Sequence, residues 1–270
     1  MTSFKSDSTV TSASYNMDIN GYLAPVVYIN PPMNVGDNVL HTLRLDQLNK
    51  IDNNSIGAGD KVSLVVTDTP PITTELHITH TPSVLTRINL TPTICPYCKT
   101  PLVGDATRIG HAQCISKSCS AQMYKNVKVM LAALGTNLPP IATGVVDNIL
   151  NSHMFMLPTD IYRLELPDFS QEINPSDAKV LITAIHAVRG YVNIDRVIAA
   201  IDVPGWGMNE AQAFHSFFTK NNYKLDKLEM FFDASNYKLI PNIDWAPWNT
   251  FIQLPINREF VSQLVKIVTR

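Results

Sequence analysis

Charge is what this sequence has little of. Acidic and basic residues make up 16% of the 270 residues and the formal net charge is −2, against roughly a quarter charged in an average globular domain. Bulk charge therefore gives no hold on a polyanion, which would have to be met by local patches or backbone amides. Long apolar runs are missing too, so no segment reads as a membrane span and no membrane partner is expected. The opening MTSFKSDSTVTSAS lacks the charged-then-apolar order of a secretory signal. It reads as a flexible tail, residues 1–14, of a cytoplasmic protein. A glycine-rich nucleotide loop is absent: Gly57-Ala58-Gly59-Asp60 has no third glycine and leads into a strand-like run. No Ser, His and Asp set stands in a catalytic context. His77 and His80, three apart in an extended run, fall on opposite faces and do not read as ligands.

Cysteine is scarce and gathered in one place. All four cysteines lie between Cys95 and Cys119, spaced Cys-x2-Cys, fifteen residues, then Cys-x4-Cys. In a reducing compartment such a cluster reads as metal ligands rather than disulfides. Cys95, Cys98, Cys114 and Cys119 would give zinc four soft ligands from two turns, with no position left open, hence a structural site; the alternative is four unconnected buried thiols. His111 then reads as a surface loop residue. From Cys95 to Lys128 there are five basic side chains and one acidic, a local +4 that four thiolates and one Zn2+ reduce to +2, a modest phosphate-attracting patch.

The cysteines divide two kinds of sequence. Residues 15–90 carry short runs rich in Val and Ile, such as Leu23–Ile29 and Lys61–Thr67, bounded by Gly, Pro, Asn and Asp. One helix is expected at Thr42–Ile51, with Leu43, Leu48 and Ile51 toward a core. This composition suggests a small all-β barrel of the OB type, with a β-sandwich as the alternative. Residues 91–122 form the cysteine module. Residues 123–270 read as short helices interrupted by proline, which marks loops and first helical turns. Asp177–Val188 places Val180, Leu181, Ala184, Ile185 and Val188 on one stripe, and Arg258–Val268 does so with Phe260, Val261, Leu264, Val265 and Val268. In Val203–Phe214 a Gly205-Trp206-Gly207 turn runs into a helical pattern, and amides at such a helix start favour an anion. Trp206, Trp245 and Trp248 read as packing anchors.

This order resembles the non-catalytic half of the bacterial NAD-dependent DNA ligases: barrel, four-cysteine zinc finger, helix-hairpin-helix domain. The likeness rests on Cys95-Pro96-Tyr97-Cys98, on Cys114 and Cys119 followed by Ser120-Ala121-Gln122, on Gly59-Asp60-Lys61-Val62, on Thr42-Leu43 and on Leu157–Phe169. It implies a chain that clamps nicked double-stranded DNA, with phosphate contacts at Arg44 and Lys61 in the barrel and at the amides of Gly205 and Gly207. The family's Lys-x-Asp-Gly motif, whose lysine becomes adenylylated, does not occur in the chain, so no catalytic residue is assigned. Where the family reads Thr-Leu-His-Asn this chain has Thr-Leu-Arg44-Leu45, and Thr67-Asp68-Thr69-Pro70-Pro71 stands at its Gly-Asp-x-Ile-Pro. The resemblance therefore implies one subunit of a split ligase, as in some tailed bacteriophages, acting in the host cytoplasm. A separate adenylation subunit would supply NAD binding. The alternative is a non-enzymatic DNA-binding or scaffolding protein derived from the same clamp.

Overall fold

A computed structural model describes residues 3–67, 72–82, 86–105, 107–136, 138–152, 155–169, 173–187 and 192–269. The chain forms two compact units, Met1–Cys114 and Ile115–Arg270, divided inside the expected cysteine module. The first unit is β-rich, the second helical, and a cysteine cluster lies where the sequence passes from one to the other. Among the described residues no helix is long and apolar enough to cross a membrane.

The first unit is built on β1 (Ser3–Met17), β2 (Leu23–Val35), β3 (Asn38–Arg44), β4 (Lys50–Ile51), β6 (Lys61–Thr67) and β7 (Thr73–Thr79), in the spatial order β3-β2-β1-β6-β7-β4. All neighbours are antiparallel except β4 and β7, which pair in parallel, Lys50 opposite Glu75 and Ile51 opposite Leu76. A separate pair joins β5 (Ser55–Gly57) to β8 (Arg87–Asn89). The core holds Val10, Val27, Met33, Leu45, Ile56 and Leu76, each at most 1% exposed.

Two sequence expectations are corrected here. Residues 3–14 of the expected tail belong to β1, which pairs with β2 on one side and β6 on the other. Val10 is the main apolar contribution of that stretch to the core, so apolar alternation is weak; a polar Ser/Thr-rich strand is selected by ladders on both edges rather than by its own burial. The helix expected at Thr42–Ile51 is instead the end of β3, one 3-10 turn at Leu45–Gln47, and β4. Leu43 and Leu45 are both buried, a spacing of two that suits a strand, and Leu48 and Ile51 pack against the same core from beyond the turn. The segment Asp68–Pro71, where the sequence departs from the ligase pattern, lies outside the described residues.

The helical unit contains α1 (Ser120–Ala133), α2 (Pro140–Ser152), α3 (Pro175–His186), α4 (Ile194–Ile201), α5 (Met208–Lys220), α6 (Ala246–Ile252) and α7 (Pro255–Thr269). Among the described residues 3-10 segments join them, including Pro158–Arg163 and Leu225–Phe232. Proline opens α2, α3, α7 and the Pro158 segment, where its fixed φ fits and its missing N–H is not needed. On α7 the stripe Phe260, Val261, Leu264, Val265 and Val268 is buried as read from sequence. On α3 Leu181 and Ile185 are buried with Ala178, while Val180 is 40% exposed and Val188 lies outside the described residues. The tryptophans are packing residues: Trp248 is fully buried, donates through Nε1 to Phe231 O at 2.7 Å, and stacks on Trp206 at 5.1 Å. Trp245 stacks on Tyr237 at 4.3 Å.

One buried charge organises the β unit. Asp60 is fully buried and accepts from Gly57 N at 3.0 Å, Thr81 N at 3.0 Å, Arg87 Nη1 at 2.5 Å and His80 Nδ1 at 3.2 Å. It thereby ties the β5–β6 turn, which runs through Gly59 at φ +93°, to the chain leaving β7 and to β8. Burial by itself would raise the Asp60 carboxyl, but the Thr81 N–H, Arg87, the Gly57 N–H and His80 outweigh it and hold it below the usual carboxylate range. A carboxylate so depressed stabilises the fold above its unfolded pKa, and that stability is lost as pH falls through the lower folded value. Asp60→Asn should therefore cost about 3 kcal/mol at neutral pH, the low end for breaking a buried pair because Arg87 keeps some contact with water. It should also flatten the acid limb of the stability–pH curve, both measured by urea unfolding across pH.

Candidate metal centre and nucleic-acid contacts

The first cysteine pair sits in a tight turn. The Cys95 N–H donates to Thr100 O at 2.9 Å and the Lys99 N–H to Cys95 O at 3.0 Å, with Lys99 in the left-handed region at φ +62°. A minimal hairpin follows, β9 (Val103–Gly104) against β10 (Ala112–Gln113). Gly104 needs to be glycine: its φ is +98° and a Cβ would stand 2.5 Å from His111 O. The Cys114 N–H then donates to Gly21 O at 2.9 Å, and Cys119 stands immediately before α1.

These turns bring Cys95, Cys98, Cys114 and Cys119 together, their sulfurs all within 4.8 Å of one another and Cys98 Sγ 3.6 Å from Cys114 Sγ. Three are buried and Cys98 is half-buried beside Thr100 Oγ1 at 3.3 Å. Zinc–sulfur bonds of about 2.3 Å in a tetrahedron space the sulfurs about 3.8 Å apart, so the four fit a metal after a small contraction. His111 is exposed and outside the group. The donor set is four soft sulfurs, which suits zinc and leaves no place for a substrate.

The basic patch expected around these cysteines is largely consumed internally. Lys117, between Cys114 and Cys119, is 4% exposed. Its Nζ lies 3.3 Å from Asp202 O and 3.7 Å from Asp202 Oδ2, between the rings of Phe251 and Phe260. Burial pulls its pKa down to about 8, with the Asp202 carboxylate opposing. Lys125 pairs with the same Asp202 oxygen and Lys128 with Asp147 at 3.0 Å. Cys-x4-Cys gives no hint of this, because nothing local says which way a lysine in such a loop will point.

The other residues expected to meet DNA stand apart from one another. Arg44, at the end of β3, is clasped by Asp46, Nη2 to Oδ2 2.8 Å. Lys61 is exposed on β6 between Thr9 and Thr79 of the adjacent strands. It lines a cavity of about 510 Å3 together with Lys5, Ser63 and His77. Gly205 and Gly207 lie in the turn from α4 to α5. Gly205 is left-handed, φ +88°, and packs toward Pro247 at the start of α6. Gly207 is extended, φ −145°, and its N–H donates to Glu210 Oε2 at 2.7 Å. The chain's own carboxylate thus occupies one of the two amides expected to bind phosphate. The signal was present: a glutamate three residues into a helix commonly closes on the N-cap amide.

The two glycines should respond differently to alanine. Gly205→Ala forces a side chain into the left-handed region and should cost about 1 kcal/mol. Gly207→Ala meets nothing closer than Glu210 Oε2 at 3.9 Å and should be near neutral; thermal unfolding of both variants separates them.

No family model matches the chain. Curated relatives do. A DNA ligase of Lawsonia intracellularis is 23% identical over 202 residues, 73% of this chain and 29% of that protein. A DNA ligase of Citrifermentans bemidjiense is 23% identical over 201 residues, again 73% of this chain. A DNA ligase of Francisella tularensis subsp. holarctica is 21% identical over 269 residues, 97% of this chain and 39% of that protein. The chain spans about a third of the length of these relatives, and it is distantly similar to DNA ligases across most of its own length.

Proposed function

We propose that this chain is the DNA-binding part of an NAD-dependent DNA ligase, holding nicked duplex for a separate adenylation subunit. The observation that carries the reading is the ligase likeness over 97% of a chain that contains four convergent cysteines. An OB barrel is supported by the strand order: β3 and β4 stand at its two ends, yet only a 3-10 turn separates them in sequence, and β4 pairs in parallel with β7. Helical hairpins are supported by α4 and α5 around the left-handed Gly205. The four cysteines are read as a structural zinc site, which folds a segment too small to own a core.

In this reading the adenylyl group comes from NAD held by the partner, and the work of this chain is orientation. It holds the duplex so that the 3′-hydroxyl faces the 5′-phosphate, lowering the barrier by positioning rather than by acid–base chemistry. Lys61 is the best-supported phosphate contact, since it is exposed and has Lys5 in the same cavity. Arg44 and the Gly205 and Gly207 amides would contribute after Asp46 and Glu210 yield. A second reading, a non-enzymatic DNA-binding or scaffolding protein, is favoured by one feature: Glu210 places a negative charge where a phosphate would sit.

Nick sealing with NAD tests the first reading, using this chain, a matching adenylation subunit, and both together. Sealing is expected only in the mixture. Binding of intact and nicked duplex with equal affinity, and no sealing in the mixture, would give the second reading the preference. Lys61→Glu should weaken duplex binding about tenfold at low salt and lower the slope of log affinity against log salt, read by fluorescence anisotropy.

A further inference from the structure

The loop from Cys114 to Cys119 carries a lysine as well as two sulfurs, and the lysine points into the helical unit. Lys117 is held there from both ends. Its own N–H donates to Asn257 Oδ1 at 2.9 Å, and Asn257 Nδ2 donates at 3.0 Å both to Ile115 O and to Phe251 O. Its Nζ reaches Asp202, the last residue before the Val203–Gly207 turn.

Asp202 is the weak point of that turn. It ends α4 in the left-handed region, φ +52° and ψ +60°, where a side chain is disfavoured. What offsets this is its two cations, Lys117 and Lys125, both on the same carboxylate oxygen. Burial would raise the Asp202 carboxyl, yet the two lysines keep it below its ordinary range. Lys125 belongs to α1, which begins immediately after Cys119. Both cations that hold Asp202 are therefore delivered by chain anchored at the cysteine cluster.

We infer that the cysteine metal centre sets the order of the Val203–Gly207 turn, with Lys117 and Asp202 as the coupling residues. The inference rests on the zinc reading of Cys95, Cys98, Cys114 and Cys119. Two tethers hold the loop so that Lys117 stays buried, the Asn257 side chain and, in the zinc reading, the metal on Cys114 and Cys119. Released from the metal, the six-residue loop can turn the lysine out to water, and Asp202 then loses one of two counter-charges. The turn carries its own reporters: the Trp206 N–H bonds to Val203 O at 3.0 Å, the Gly207 N–H to Glu210, and the Ala211 N–H to Gly207 O at 3.3 Å.

The test is hydrogen–deuterium exchange on the full chain, as purified with zinc and after chelation, with bound zinc counted in each sample. One zinc per chain is expected. Chelation should speed exchange of the Trp206, Gly207 and Ala211 amides about tenfold while Phe260–Val268 of α7 keeps its protection, a local opening rather than a global one. Lys117→Met should retain zinc and show the same faster exchange in the turn. Turn amides unchanged on chelation, loss of α7 protection in step with the turn, or a zinc-bound Lys117→Met that exchanges like the wild type would each overturn the coupling. A chain that binds no zinc would overturn the zinc reading itself, and the metal count identifies that case separately.

Discussion

Four sulfurs converging within 4.8 Å are what the segment from Cys95 to Cys119 stands on. Among the described residues its regular structure is two strands of two residues each, and the buried apolar side chains besides Cys95, Cys114 and Cys119 are Ala112 and Ile115. A stretch of this size cannot offset the entropy of ordering its backbone by apolar burial. The turns at Lys99 and Gly104, each with positive φ, exist to aim sulfur inward. Once the sulfurs meet, a short covalent tether places the first turn of α1, while Asn257 and Asp202 set where Lys117 points.

Charge in this protein is used inward. Asp60 has no exposure and collects donors from a turn, a strand and the chain beyond β7. Lys117 is buried against Asp202, and the Gly207 amide is closed by Glu210. For Asp60 and Lys117 a full charge meets a partner close enough to oppose its desolvation, which is the condition for burying it at all. Two exposed lysines on the β sheet, Lys5 and Lys61, share a cavity lined with hydroxyls and with Asp7, which pairs with Lys5 at 3.8 Å. This matches a protein whose grip on a duplex, in the function proposed, is local rather than global.

Much of this was legible in the residues. The β-then-helical order, strands at Leu23–Ile29 and Lys61–Thr67, the α7 stripe, the proline-marked helix starts and the spacing of the cysteines all come from local rules: alternation, a 3.6 period, fixed φ and loop length. These act over a few residues, so a linear reading can find them. The Ser/Thr-rich strand at Ser3–Met17 and the strand–turn–strand at Thr42–Ile51 were not legible in that way. Their conformation is dictated by ladder partners far away in sequence, such as Thr9 against Lys61 and Leu43 against Val27.

The site divides along the same line. That Cys95, Cys98, Cys114 and Cys119 would meet was written in their spacing, because two short turns each hold a pair. That Arg44 would be clasped by Asp46, Gly207 by Glu210, and Lys117 drawn to Asp202 eighty-five residues away was decided by tertiary structure. Motif spacing brings ligands within reach of one another. Only the folded chain sets which counter-charges lie nearest, and at a few ångströms that nearness decides whether a charged group or an amide is available to a partner.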